Sequence, residues 1–161
     1  MVIENRTEAI RKIGFFRGLE ESEINQVTDI CKERSFEAGE LCQTEGKPTN
    51  QVHFILSGRV GTVIHIPNVT YISSETILDT LHDGDAFGWS SLIQGTPWST
   101  LRALEPTHVL SVNSRDLIDL CEKNSRIGYI LMRNLSSLIA SRLRRNRMSI
   151  LNAVVAIRGE W

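Results

Sequence analysis

Apolar and polar positions follow one pattern near the ends of the chain and another in the middle. Apolar residues recur at helical spacing near the N-terminus, which predicts a helix over residues 5–13 and a second from Glu21, with Ser22 as N-cap. Over residues 32–112, short apolar runs alternate with glycine-centred turns, with a hairpin tip at 67–74. This middle pattern predicts a β jelly roll, so the fold class is mainly β with flanking helices.

A long amphipathic helix is predicted after the strands. Ser114 caps a short helix that ends near Glu122, and Asn124 or Ser125 then begins a longer one that reaches about Asn152. Its apolar residues recur at spacings of three and four: Ile127, Ile130, Leu131, Leu135, Leu138, Ile139 and Leu143. Such a helix spans roughly 40 Å, so we expect one end to project from a domain of this size or to contact a partner. The expected division is a jelly roll with N-terminal helices over 1–122 and a dimerisation helix with its tail over 123–161.

Length and composition suit one ordinary domain. The chain has 161 residues, of which 41% are hydrophobic and 23% charged, and its net charge of −1 gives no reason to expect nucleic acid or an anionic membrane as a partner. There is no apolar run of membrane-spanning length and no apolar signal core, so we expect a cytoplasmic protein with no membrane partner. Cys31, Cys42 and Cys121 are scattered, and we expect them to be reduced thiols.

Turn residues and tryptophans concentrate in one stretch, residues 83–103, with the sequence DGDAFGWSSLIQGTPWSTLRA. A Gly-Asp turn leads into Phe87-Gly88 and then into a run long enough for a single helical turn. Gly95-Thr96-Pro97 ends that turn, and an extended segment follows. A glycine-entered helical turn exposes backbone N–H groups at its start, which predicts an anion site there.

This stretch resembles the phosphate-binding cassette of cyclic nucleotide-binding domains. These domains occur in bacterial regulators of the catabolite activator and fumarate–nitrate types and in regulatory subunits of cAMP-dependent protein kinase. The family pattern F-G-E-L-A-L, followed by R-[ST]-A, keeps its frame here at Phe87-Gly88, Leu92 and Leu101-Arg102-Ala103. Further landmarks match at Gly39, Gly46 and Gly58, so the resemblance covers about residues 15–143. It implies the jelly roll and a C-terminal helix that pairs with its twofold mate in a homodimer.

The two charged positions of the family cassette are different in this chain. The family glutamate, which binds the ribose hydroxyl, falls on Trp89, and the arginine, which binds the cyclic phosphate, falls on Pro97 or Trp98. The resemblance therefore supports the fold and argues against ordinary cAMP binding. Two interpretations of the tryptophans stay open: they form the walls of a pocket for a planar or apolar ligand, or they fill the space that a nucleotide would occupy.

The candidate ligand-binding residues all belong to this stretch: Phe87, Gly88, Trp89, Ser90, Ser91, Trp98, Ser99, Thr100 and Arg102. The backbone N–H groups of Ser90 and Ser91, with the hydroxyls of Ser99 and Thr100, are suited to a carboxylate or a neutral polar group. The candidate dimer-interface residues lie on the long helix: Ile127, Leu131, Leu135 and Leu138. The arginine-rich run at 142–147 has two interpretations, a contact with nucleic acid or an acidic partner, and a solvated helix face, which we favour.

The sequence does not indicate catalysis or a cofactor. The four histidines lie on different strands or turns without metal-ligand spacing, and no catalytic Ser-His-Asp order or pair of carboxylates is recognisable. Residues after 150 are too few for a helix-turn-helix reader, so we expect no sequence-specific DNA binding by this chain. We predict a stand-alone regulatory sensor that is not an enzyme, is dimeric, binds a small effector other than cAMP and signals to a partner protein. The alternatives are a ligand-free interaction module and a remnant of a DNA-binding regulator.

Overall fold

The structure, a computed structural model, describes residues 3–65, 75–93 and 95–158. The predicted hairpin tip at 67–74 lies outside these residues. The α-helices are α1 (Ile3–Lys12), α2 (Glu21–Ile30), α3 (Ser114–Lys123) and α4 (Ser125–Arg158), and 3₁₀ turns occupy Gly14–Phe16 and Trp89–Ile93. In the described part of the chain, no helix is both long and apolar enough to span a membrane.

The strands form two antiparallel four-stranded sheets that face each other. The strands are β1 (Cys31–Phe36), β2 (Leu41–Gln43), β3 (Gln51–Ser57), β4 (Val60–His65), β5 (Glu75–Leu81), β6 (Ala86–Phe87), β7 (Thr100–Ala103) and β8 (Thr107–Asn113). One sheet has the order β1-β8-β3-β6 and the other β2-β7-β4-β5. This arrangement confirms the predicted fold class, a mainly β roll with flanking helices and a long C-terminal helix.

Strands β3 and β8 are buried on both faces, which explains why β3 reads as an almost continuous apolar run. Ile55 and Val109 point into the roll, while Phe54 on the outer face of β3 packs under the helices. The Phe54 ring lies 5.1 Å from that of Phe15 and 4.7 Å from that of Phe16, measured between centroids. The N-terminal phenylalanines therefore join the helices to this sheet.

The first half of α4 covers the outer face of the same sheet. Ile127 and Leu131 are fully buried and Leu135 is 3% exposed, all in the core of their own chain, and Leu138 packs partly buried against that core. The prediction that these four residues form a dimer interface is therefore wrong for Ile127, Leu131 and Leu135. Leu138 lies on the same face of the helix and is only partly buried, so its place in an interface stays a prediction. Residues 143–152 are exposed, and beyond the ion pair of Arg145 with Asp85 the helix extends past the roll.

The helix starts differ from the predicted ones by one or two residues. Helix α2 is capped by Glu20 in a capping box, not by Ser22. The N-cap of α3 is Asn113, not Ser114, because the Asn113 side chain accepts the first free backbone N–H of the helix. Of the two alternatives for α4, the cap is Asn124, whose side-chain oxygen accepts hydrogen bonds from two backbone N–H groups.

Polar side chains fix α4 to the N-terminal helices. Arg126 forms an ion pair with the buried carboxylate of Glu23, and its hydrogen bond holds the pKa of Glu23 below the ordinary value. Two turns further along, the Asn134 amide donates to the carbonyl of Phe15 at 2.8 Å and to that of Arg17 at 2.9 Å. Apolar burial and these bonds together fix the helix where it passes the cassette stretch.

Candidate functional site

Gly88 directs the cassette stretch past strand β3. Its φ is +77°, and a Cβ at this position would lie only 2.2 Å from the carbonyl oxygen of Gln51, so a larger residue cannot be accommodated without displacing backbone. The 3₁₀ turn then closes on Gly88, whose carbonyl accepts the Ser91 backbone N–H at 3.1 Å and the Ser91 hydroxyl at 2.7 Å. Because the Ser91 N–H is used inside the turn, the prediction that it binds a ligand is wrong.

A cavity of about 230 Å³, here called the cassette cavity, opens beside this turn. Six of the predicted ligand-binding residues line it: Phe87, Gly88, Trp89, Ser90, Trp98 and Ser99. Pro97 also lines it, and the strands contribute Gln43, Thr62, Ile64, Leu78 and Asp79, while α4 contributes Arg142 and Asn146. The cavity therefore lies where both sheets, the cassette stretch and the C-terminal helix meet.

Two other predicted ligand residues point away from the cavity. Leu101 and Ala103 occupy the inner face of β7, so Thr100 and Arg102 project outward. The Thr100 hydroxyl accepts the backbone N–H of Glu45 at 3.1 Å. Arg102 donates to the carboxylate of Glu75 at 2.6 and 3.3 Å. The alternation of side chains along β7 thus corrects the assignment of both residues to the ligand site.

Trp89 and Trp98 form part of the wall of the cassette cavity. Their ring centroids are 6.0 Å apart and their planes meet at 83°, an edge-to-face contact. Trp98 remains 72% exposed, so its ring stands at the rim and does not fill the space. Of the two interpretations of these residues, the geometry favours an open cavity with aromatic walls.

Arg142 brings a cation to the cavity from α4. Its Nη2 donates to the carbonyl of Ala86 at 2.9 Å, while its Nε is buried and has no hydrogen-bond partner in the described part of the chain. Burial lowers the pKa of the guanidinium, and the nearby carboxylates of Asp85 and Asp79 oppose that effect. The interpretation of the arginine-rich run as a solvated face is therefore wrong for Arg142.

The position of Arg142 in the sequence contains a signal for this placement. It follows Leu138 by four residues and Leu135 by seven, so it continues the buried stripe of α4. Arg145, one turn on, also faces the roll, and its guanidinium lies 3.9 Å from the carboxylate of Asp85. Helical periodicity, applied to the arginines as well as to the leucines, would have identified both contacts.

Gln43 provides a second unpartnered polar atom at the cavity. Its amide nitrogen donates to the carbonyl of Ser99 at 2.9 Å, whereas its Oε1 is buried without a partner among the described residues. A buried polar group that makes no hydrogen bond costs about 1–3 kcal/mol. Two such atoms beside one cavity, in Gln43 and Arg142, are typical of a surface that accepts polar groups of a ligand.

The histidine and cysteines at the core do not suit catalysis. His53 is buried beside Phe87 and its Nδ1 lies 2.7 Å from the Ser111 hydroxyl; burial lowers its pKa to about 4, so it is neutral at pH 7. Burial raises the pKa of Cys31 and Cys42 to about 12, which disfavours the reactive thiolate form of both. The described residues include no group of histidine, cysteine and carboxylate side chains arranged to hold a metal ion.

Comparisons with known proteins agree with this geometry. The family model of the cyclic nucleotide-binding domain matches residues 33–124. A cyclic nucleotide-binding domain from Methylobacillus flagellatus superimposes with a TM-score of 0.78 at 23% identity, covering 94% of this chain and 83% of that one. The catabolite activator protein of Thermus thermophilus superimposes with a TM-score of 0.67 at 22% identity, covering 88% of this chain and 63% of that one.

Among curated proteins, the potassium channel SKOR of Arabidopsis thaliana is 27% identical over 127 residues, which is 78% of this chain and 15% of the channel. The chain spans 12% to 21% of the length of the curated relatives that it matches.

Proposed function

Because the chain belongs to the cyclic nucleotide-binding domain family, we propose that it is a regulatory sensor that binds a small effector other than cAMP in the cassette cavity. The observation that carries this proposal is the cavity itself, with buried unpartnered polar atoms on Gln43 and Arg142 and with aromatic walls. The lining suits binding and not catalysis, because the described residues that line it offer one carboxylate, Asp79, and no thiol or imidazole.

Discrimination against cAMP follows from the cassette residues. The resemblance assigns ribose recognition to the position of Trp89 and phosphate recognition to that of Pro97 or Trp98, and none of these side chains carries a charge. A charge-assisted hydrogen bond contributes about 1.5–3 kcal/mol, so its loss lowers affinity roughly ten-fold or more. An effector that uses other groups of the cavity is therefore favoured.

A second copy of the chain is the partner that we propose for the exposed face of α4. Four of the six large apolar residues that are exposed on the described part of α4 share the a and d positions of one heptad repeat: Tyr129, Met132, Leu143 and Ile150, which are 68%, 37%, 70% and 63% exposed. Such spacing is typical of the seam between two helices. This stripe, here called the outer stripe, replaces the buried leucines as the candidate dimer seam, and through it effector binding is passed to the mate and to a partner protein.

A thermal-shift screen tests effector binding. Ligands that bind the folded state raise its melting temperature, so we expect an effector from a metabolite collection to stabilise the wild type. Thr62→Phe fills the cavity from β4 and should abolish the shift, whereas Ile77→Phe, on the opposite, exposed face of β5, should preserve it. Shifts that persist in Thr62→Phe would place binding elsewhere, and micromolar binding of cAMP by calorimetry would refute the discrimination against it.

Light scattering tests the outer stripe. We expect a dimer at tens of micromolar and a monomer for Leu143→Asp, with the melting temperature of the fold little changed because Leu143 is exposed. Ser137→Asp, an exposed position on a different side of α4, serves as the matched control and should remain dimeric. A monomeric wild type, or a dimeric Leu143→Asp, would eliminate this seam.

A further inference from the structure

The cassette cavity contains a positive charge that reaches it from α4. We propose that the effector carries an oxyanion, a carboxylate or a phosphate, and that Arg142 binds it; this inference rests on the proposed function of the cavity. The anion is thus held from the C-terminal helix and not from the cassette position at which the resemblance assigns phosphate binding, where this chain has Pro97 or Trp98.

The hydrogen bonds of Arg142 leave capacity for a ligand. A guanidinium has five N–H donors, and within the described residues the Arg142 group has a single acceptor, the carbonyl of Ala86 at 2.9 Å. Its Nε is buried without a partner while the side chain lines the cavity. A planar guanidinium with free donors matches a carboxylate or phosphate in geometry and charge.

The rest of the lining defines the other groups of the ligand. Gln43 offers a buried acceptor, Oε1, and Asp79 offers a carboxylate, so donors such as a hydroxyl or an amine are favoured beside the oxyanion. Trp89 and Trp98 provide aromatic surface for a planar body. Since Asp79 balances the charge of Arg142, a ligand with a single negative charge fits better than a strongly acidic one.

Binding of the anion by Arg142 connects the occupancy of the cassette cavity to the position of α4. The same guanidinium donates to Ala86, two residues before Gly88, so it bridges the helix and the start of the cassette turn. An anion bound to Arg142 adds a second connection across the same junction. Because the outer stripe continues along α4, this connection gives the effector a route to the proposed dimer seam.

Nitrogen-detected chemical shifts test the inference directly. The protein, labelled with ¹⁵N, is titrated with 4-hydroxybenzoate and, separately, with its neutral amide, 4-hydroxybenzamide, with ionic strength held constant by sodium chloride. The indole N–H signals of Trp89 and Trp98 report entry into the cavity. The Nε–H signal of Arg142, identified by its disappearance in Arg142→Gln, reports contact with the anion.

We expect 4-hydroxybenzoate to shift the indole and Arg142 signals together and to bind at least about ten-fold more tightly than the amide. Arg142→Gln should weaken binding of the benzoate about ten-fold or more and leave the amide within about two-fold. Arg144→Gln removes the same charge from an exposed position of α4 and should leave both affinities unchanged. Phenyl phosphate, used in the same titration, distinguishes a phosphate ligand from a carboxylate.

Two other results would overturn the inference and are distinguishable from each other. Equal binding of acid and amide in the wild type, or unchanged affinity in Arg142→Gln, would refute the anion site and leave the sensor function intact. No shift of the indole signals with the acid, the amide or phenyl phosphate would refute the anion site and also the proposed ligand cavity.

Discussion

The two halves of α4 are parts of one continuous helix in very different surroundings. From Ser125 to Arg142 the helix packs its apolar side on the roll, and four of its side chains, those of Ile127, Ile130, Leu131 and Leu135, are buried. From Leu143 to Asn152 every residue is exposed, including large apolar ones. Apolar residues at helical spacing occur in both halves, so the periodicity indicates an apolar face without indicating what covers it.

The largest expected difference between the halves is the loss of stability when a leucine of each half is replaced by alanine. Leu135→Ala should lower the free energy of unfolding by about 2–5 kcal/mol, because it leaves a cavity under α4. Leu143→Ala should change it by less than about 0.5 kcal/mol in the monomer, because Leu143 is 70% exposed. Urea denaturation followed by circular dichroism at low protein concentration measures both. Similar losses for the two variants would remove the distinction between the halves.

The ion pair at the start of α4 should make the stability contributed by the first half of the helix depend on pH. Arg126→Gln leaves the buried carboxylate of Glu23 without its cation, and we expect a measurable loss of stability at pH 7. Arg126 lowers the pKa of Glu23 in the folded state, so this stabilisation is complete above the ordinary value of 4.5 and disappears as the pH falls through the lower folded value. The difference between wild type and variant should therefore shrink below about pH 4.5.

Comparison of the wild type with Arg126→Gln at each pH isolates the contribution of the Arg126–Glu23 ion pair. His53, with its pKa of about 4 in the folded state, destabilises both proteins equally as the pH falls from about 6.5. That contribution cancels in the difference between them. A difference that stays constant from pH 7 to pH 3 would mean that Glu23 does not respond to Arg126.

The smallest expected effect on the free energy of unfolding concerns the side-chain amide of Asn134. Asn134→Ala removes two hydrogen bonds to the carbonyls of Phe15 and Arg17, and we expect a loss of about 1–2 kcal/mol. Asn152→Ala, the same change in the exposed half, should be within about 0.5 kcal/mol of the wild type. Hydrogen exchange of the 3₁₀ turn at Gly14–Phe16 should accelerate only in the first variant. Unchanged exchange there would indicate that α2 and the core hold the turn without Asn134.

Local chemistry was sufficient to predict the fold. Glycine turns at Gly39, Gly46 and Gly58, each of which has a positive φ, divide the short strands as the sequence suggests. The burial of β3 on both of its faces is visible in its continuous apolar run. Helix caps were less predictable, because Glu20 and Ser22 both satisfy the chemistry of a helix start and tertiary contacts of Glu23 select between them.

The candidate site was only half predictable. The residues around Gly88 follow from the cassette pattern, because they are close together in the chain. Gln43 reaches the cavity from a distant strand, and a single polar residue on a short strand has no local property that places it there. Arg142 continues the buried stripe of α4, but helical periodicity does not indicate which element that stripe meets. Thr100 and Arg102 were misplaced because a shift of one residue along β7 exchanges its inner and outer faces.

The length of α4 would convert a small tilt at the cavity into a larger displacement at its far end. About 24 Å of helix lies between Arg142 and the last helical residue, Arg158, at 1.5 Å per residue. A tilt of about 10° about the Arg142 contact would displace that end by about 4 Å, close to the diameter of a methyl group, while the side chains at the pivot move by much less. If the helix tilted as a rigid body in this way, a change too small to disturb the roll would become a displacement large enough for another molecule to recognise.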